Sequence, residues 1–288
     1  MGYPNVIGGV SRKVCSGIYT HSCRFLRAGY FEIGGRMAVI SSPQSFIVWS
    51  AIPYDKKTID SLDRTMVEGG DLKAGESFIQ KVSHLIIPDG EHTMAVQSWK
   101  AKFPNIRIVG FEGLKPEIAK VADIVIPESA AWKILSTNDL SSFGFDETKD
   151  VALADARLQF MFWPKVANKE LLVFSEPHKA VFAADVIFNL QHNNRRIPES
   201  DLYNEQFEGK EPFHLIQRLF FKNAFSFGTG FNKFLVKRMV ADPVSFSPAF
   251  KELLARWDPA KIILCHGDVI ERDGSAVFKK TFGHIVRD

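Results

Sequence analysis

Among the side chains of this 288-residue chain that could bind divalent cations or move protons, five stand out at the ends of apolar runs, in three short stretches. Asp89, Glu91 and His92 stand in "LIIPDGEHTM", Asp185 in "VFAADVIFN" and His266 in "ILCHGD". Carboxylate oxygens and imidazole nitrogens together make a mixed donor set that suits first-row divalent ions. The same groups also allow metal-free lyase or isomerase chemistry, with Asp89 or Glu91 as base and His266 as acid. Each residue has a plainer reading beside the functional one. Asp and Gly ahead of a helix are common turn and cap residues, and a strand-end imidazole often only donates to a carbonyl. Asp185 ends a run of Ala, Val and Phe, where a buried carboxylate must find a cation, a metal or several donors. Gly267, directly after His266, permits a close backbone approach or a positive φ.

All five sit at or just beyond predicted strand ends, where α/β sheets place ligands. The runs "GYFEI", "RMAVISS" and "SFIVWSAI", punctuated by Gly34-Gly35 and Pro43-Gln44, predict an antiparallel meander. Charged, amphipathic sequence over residues 55–82 then predicts a helix, a break at Gly69-Gly70 and a second short helix. From His84 the rhythm is strand, helix, strand: "HLIIP", "TMAVQSWKAKF" and "IRIVGF", with Met94, Val96, Trp99 and Phe103 able to share a helix face. The runs "ADIVIPE", "LQFMFWP", "KELLVFS", "KAVFAADVIFNL" and "KIILCHG" predict further strands, and "SAVFKKTFGHIV" a closing helix. Two mixed sheets with helices outside them give a four-layered α/β architecture in one domain over residues 1–288, with a helical insertion near 190–257.

Composition narrows the function classes. With 45% hydrophobic residues the chain can build a large core, and 36 basic against 33 acidic residues make no field that favours nucleic acid. Cys15, Cys23 and Cys265 are an odd set without metal-type spacing, which argues against a disulfide scaffold and suits the cytoplasm. There is no signal-peptide core and no apolar run of membrane-spanning length, so no membrane partner is expected. A small-molecule ligand or substrate is the expected partner, and a homo-oligomer stays open. The aromatic stretch Phe213 to Phe234 reads as core packing, beside a membrane-facing or dimer-forming surface or a lid. Arg195-Arg196 with Lys233, Lys237 and Arg238 read as a solvated face. His178 belongs to a turn, and Asp268 is either a turn residue or an orienter of His266. Alternation points Cys265 away from His266, which argues against a Cys-His nucleophile pair.

The blocks "SSPQSFIVWSAI", "IIPDGEHTMAVQSWKAKFPNIRI", "VFSEPHKAVFAADVIFN" and "IILCHGD", in this order, resemble the metallo-β-lactamase-like superfamily. The resemblance implies an αββα sandwich, and it implies a metal motif His-x-His-x-Asp-His whose positions fall on Asp89, Glu91, Thr93 and Met94. All four differ from the usual residues, and the His expected after Trp163-Pro164 is missing as well. Asp185 matches the family's metal-bridging Asp and His266 its last His. What the resemblance implies is therefore a reduced, mononuclear site for Zn, Mn or Fe at weak or partial occupancy, completed by Asp89, Glu91 or His92. The activity implied is metal-dependent hydrolysis of an ester, lactone or thioester, and the rival is a metal-free pseudo-enzyme that binds a ligand or partner.

Overall fold

The computed structural model describes residues 2–190 and 215–287. Arg195, Arg196 and Phe213 lie outside the described residues. One sheet contains β1 (Val10–Cys15), β2 (Ile18–Cys23), β5 (Gly35–Ser42), β6 (Ser45–Trp49), β7 (Val82–Ile86), β8 (Arg107–Phe111) and β9 (Ile124–Ile126) in that spatial order. Its first four strands are antiparallel and its last four parallel, β6 belonging to both sets. Between β2 and β5 the short pair β3 (Leu26–Arg27) and β4 (Phe31–Glu32) forms a separate hairpin. The second sheet is β10 (Leu158–Trp163), β11 (Glu170–Ser175), β12 (Ala180–Ala183) and β13 (Lys261–Leu264), antiparallel except for the parallel pair β12–β13.

Alternation shows why this sheet sits between two layers. Phe160, Phe162, Leu171, Val173, Phe182 and Ile263 join the core shared with the first sheet. Their neighbours Met161, Trp163, Leu172, Phe174, Val181 and Ile262 pack on the opposite face in a second core. A strand with a two-residue side-chain period and apolar residues at every position must be covered on both faces. On one side Trp49 meets Phe182 and Phe111 stacks on Phe162, closing sheet against sheet. On the other lie α7 (Pro243–Arg256) and α8 (Gly274–Phe282), whose Phe246, Phe250, Phe278 and Phe282 fill the layer. Over the first sheet, α1 (Lys56–Gly69) buries Ile59, Leu62 and Met66, starts at the Asp55 cap and ends at Gly70 in the left-handed region. α2 (Val96–Lys102) anchors Trp99, which donates to the carbonyl of Ile52. α3 (Pro116–Ala119) and α4 (Val151–Asp155) are single turns, and α5 (Leu215–Ala224) and α6 (Gly230–Met239) share the described part of the predicted insertion with α7. This is a four-layered αββα sandwich.

Two expectations need correction. "GYFEI" supplies only the two-residue β4, and the meander begins earlier, with β1 and β2. "VSRKVC" and "IYTHSC" lack an apolar alternation because β2 is buried by Tyr19 and His21 as well as by Ile18, with His21 hydrogen-bonded to Ser11 and to the Gly8 carbonyl. Ser16-Gly17, the turn that joins them, is the local signal that was there to use. Met94 also departs: the helix starts at Val96, Val96 and Trp99 are buried, and Met94 lies in the preceding turn, 49% exposed.

Candidate metal centre

The parallel register pairs Ala183 with Leu264, so two residues further along each chain Asp185 and His266 emerge side by side. Gly267 makes the exit possible, since at φ +87° a Cβ there would lie 2.1 Å from the carbonyl oxygen of Asn189. The backbone N–H groups of Asn189 and Asp268 close the same crossing, on the carbonyls of His266 and Asn189. Facing them from the first sheet comes the turn after β7. Buried Asp89 accepts at Oδ1 from the backbone N–H of Glu91 (2.9 Å), the backbone N–H of His92 (2.8 Å) and Nδ1 of His92 (2.8 Å). This cap turns position 92, and not 91, toward the second sheet.

Tautomers follow from the partners. The Gly34 carbonyl can only accept, so His266 Nδ1, 2.6 Å away, carries a proton, and His92 Nδ1 carries one toward Asp89. The two remaining nitrogens, Nε2 of each ring, lie 3.2 Å apart. Asp185 Oδ1 is 3.3 Å from His266 Nε2 yet has no aligned hydrogen-bond donor, whereas its Oδ2 accepts from Asn168 (2.6 Å) and Arg27 (3.4 Å). Ligand atoms of His92, Asp185 and His266 all fall within 4.8 Å of one another. Of the five residues singled out in the sequence, the structure brings these three together. Asp89 stands behind His92, and Glu91 is half-buried with its side chain outside the group.

Charge is concentrated around the cluster. Burial opposes ionisation of Asp185, but the adjoining His266 and His92 imidazoles and the Arg27 guanidinium hold its carboxyl well below the usual range. Burial likewise works against a charged His92, and the Asp89 carboxylate outweighs it, keeping the ring's pKa well above that of a free imidazole. Glu170 is fully buried and bonds the backbone N–H groups of Ala184 and Asp185. Burial, with the charge of Asp89, raises its pKa well above that of a free Glu. The Cys265 thiol touches Ser50 at 3.1 Å and also the His92 ring. Burial pushes its pKa up, so it is an inert thiol packed in the shared core.

Aromatic rings close the site. Phe188 stacks on His266 at 5.4 Å and 6°, with Phe25 6.0 Å from the same imidazole. Beyond Phe188 lies a cavity of about 150 Å³ bounded by Ile187, Phe225, Leu235 and Met239, together with Asn232 and Thr281. The polar atoms of Asn232 and Thr281 are bonded to the backbone at Gly228, Ala224 and Val277, which leaves the cavity apolar.

No family model matches the chain, and no curated protein matches it. Solved structures do. A metallo-β-lactamase from Hirschia baltica aligns at 9% identity with a TM-score of 0.55, covering 99% of this chain and 100% of that one. DIM-1 metallo-β-lactamase exposed to ceftazidime aligns at 10% identity and 0.54, with 98% of both chains covered. FIM-1 from Pseudomonas aeruginosa, in its mono-zinc form, aligns at 10% and 0.53 over 98% of this chain and 96% of that. The chain has the metallo-β-lactamase fold. At such identities the likeness speaks for the fold, and the donors must be judged on their own geometry.

Four contributors to this metallo-β-lactamase-fold site escaped the sequence reading: Asn168, Glu170, Arg27 and the Gly34 carbonyl. Glu170 had a signal, a charge opening the otherwise apolar run "ELLVFS", which on a strand buried on both faces has no solvent to reach. Asn168 follows the Trp163-Pro164 position where the family's further His was sought, and it binds Asp185 by hydrogen bond. Arg27 and Gly34 carry no local signal, because their roles exist only once the β3–β4 hairpin and the turn before β5 meet the end of the second sheet.

Proposed function

We propose that His92, Asp185 and His266 hold a single divalent ion and that the chain is a metal-dependent hydrolase of an ester, lactone or thioester. The observation that carries this reading is convergence of lone pairs. With each ring singly protonated, on the nitrogen it has spent as a donor, two Nε2 atoms and Asp185 Oδ1 confront one another as acceptors and need a cation among them. The donor chemistry fits: carboxylates behind metal-binding imidazoles fix the ring and raise its basicity, and Asp89 stands in that relation to His92. Two imidazoles and one carboxylate suit Zn, Mn or Fe, and a set this small favours weak or partial occupancy. A divalent ion held there supplies Lewis acidity toward a carbonyl oxygen or a water molecule. The chain's own residues do the positioning. Asn168 and Arg27 steady Asp185, Phe25 and Phe188 limit water around His266, and the cavity behind Phe188 can take an apolar substituent about the size of benzene.

The second reading is a metal-free binding module, favoured by Thr93 and Met94 in the motif's Asp and His positions and by the raised pKa of His92. A second proton on His92 would serve the same acceptors. Elemental analysis of protein purified without chelator, followed by thermal shifts on adding Zn, Mn or Fe(II), separates the two. The hydrolase reading expects ion-dependent stabilisation that Asp185→Ala and His266→Ala abolish, together with ion-dependent turnover of p-nitrophenyl, lactone or thioester probes. Absence of ion-dependent stabilisation in the intact chain leaves the binding module.

A further inference from the structure

A helix at a protein surface ordinarily carries one apolar stripe, turned inward. α5 and α6 carry two. Their inward faces are accounted for: Phe221, Ala224, Asn232 and Val236 are buried, and Phe221 stacks on Phe225 at 5.4 Å. On the outer face of α5, Ile216 is 81% exposed, and Leu215, Leu219 and Phe220 stand exposed beside it at helical spacing. The patch continues across to α6, where Phe220 meets Phe231 at 5.7 Å and Phe231 stacks on Phe234 at 6.4 Å, both α6 rings exposed. Basic residues are interleaved with these rings. Lys233, Lys237 and Arg238 are exposed, and the Arg238 guanidinium lies 5.5 Å from the Phe234 ring centre. From Leu215 to Met239 the sequence has five Lys or Arg and no Asp or Glu, in a chain whose net charge is only +3.

We propose that the outer face of α5 and α6 is a docking surface for an anionic lipid bilayer. Exposed aromatic and aliphatic side chains enter the headgroup boundary while flanking lysines and arginines meet acidic lipids, the composition of interfacial amphipathic helices. A self-interface fits less well, since protein–protein interface centres are depleted of lysine. The face is peripheral, because among the described residues no helix is long and apolar enough to cross a membrane. It departs from the expectation of no membrane partner, which rested on the lack of a signal-peptide core and of a spanning run. The proposal does not depend on the metal centre.

The test is flotation of the full chain with vesicles of phosphatidylcholine alone or mixed with phosphatidylglycerol, at low and high salt. Sedimentation without lipid runs in parallel. Intact protein should float with phosphatidylglycerol-containing vesicles and not with phosphatidylcholine alone, and salt should weaken binding. Lys233→Glu with Lys237→Glu should weaken it on the order of thirtyfold or more. Phe231→Ser with Phe234→Ser should abolish it, with the melting temperature kept because both rings are exposed. Failure to float with acidic vesicles, or equal binding to both compositions, overturns the proposal. So does a concentration-dependent dimer that the Phe231/Phe234 variant dissociates while lipid binding is absent.

Discussion

Strand β7 has a histidine inside it and another just beyond its far end, and the two are solved differently. His84 is fully buried, with Nδ1 on the Ser83 hydroxyl (2.8 Å) and Nε2 on Asp150 (2.8 Å). Asp150 in turn is held by Arg107 at both oxygens and by the backbone N–H of Asp146 at 2.7 Å. Every strong donor and acceptor there has a partner, and the charges balance. His92 is also paired with an Asp, but its Nε2 ends on another imidazole nitrogen, and Asp89 Oδ2 and Asp185 Oδ1 lack aligned donors. Burial and a carboxylate partner are common to both sites. Completeness separates them: a closed network holds a fold together, whereas an open one has capacity left for a ligand.

The largest effect that would test this contrast is at the closed site. Asp150→Ala leaves the fully buried His84 without its acceptor and the part-buried Arg107 with only Asp123 and the Gly144 carbonyl, and removing one member of a buried pair costs about 3–5 kcal/mol. Urea denaturation should register that loss, while the thermal shift on adding Zn, Mn or Fe(II) stays as in the intact chain. If Asp150→Ala instead removes the ion response, the two sites are not independent.

At the open site the sign is different. Asp185→Ala should eliminate ion-dependent stabilisation, about 2.7 kcal/mol when the free ion stands at a hundred times its dissociation constant. Without added ion its cost should be much smaller than that of Asp150→Ala, since it relieves acidic crowding with Asp89 around Glu170. Calorimetry with and without ion checks both halves. A large loss in chelated protein would make Asp185 a structural residue like Asp150.

How much of this was legible in the sequence follows from the range of each interaction. The second sheet could be read because its strands are apolar on both faces and bounded by turns. β1 and β2 could not, because β2 buries Tyr19 and His21, polar residues satisfied by Asp71 and the Gly8 carbonyl from outside the strand. At the site, Asp185 and His266 stood out as strand-end polar residues after apolar runs. That His92 and not Glu91 turns inward depends on three hydrogen bonds to one oxygen of Asp89, and the Gly34 carbonyl that sets the His266 tautomer comes from 232 residues away.

A smaller effect should appear with pH at the closed site. Burial opposes the charge of Asp150, but the hydrogen bonds from His84 and Arg107 outweigh it and lower the pKa below the ordinary Asp value. The folded state therefore holds this proton more weakly than the unfolded chain does. Its stabilising contribution is present above the unfolded pKa of about 3.9 and fades as pH falls through the lower folded value. Asp150→Asn should show a flatter loss of stability on acidification than the intact chain, measured by urea midpoints at successive pH values. An unchanged slope would mean that other carboxylates dominate the acid limb.

The smallest expected effect is the most pointed one. Met94 occupies the place of the final His in the superfamily's motif, so a motif-based reading holds that Met94→His should rebuild part of a second metal position. The structure argues otherwise. The motif assumes a turn in which that residue faces the second sheet, but here the Asp89 cap spends the inward direction on His92, and Met94 is 49% exposed in the turn before α2. An imidazole at position 94 starts in solvent, away from His92, Asp185 and His266. Met94→His should therefore change stability by no more than about 0.5 kcal/mol, as surface substitutions do. It should leave the ion stoichiometry at its unmodified value, read by elemental analysis after saturation and desalting. A gain of a second ion per chain would show that this turn can rearrange to the motif's geometry, and the distinction between an open single-ion cluster and a dinuclear site would then lie in one side chain.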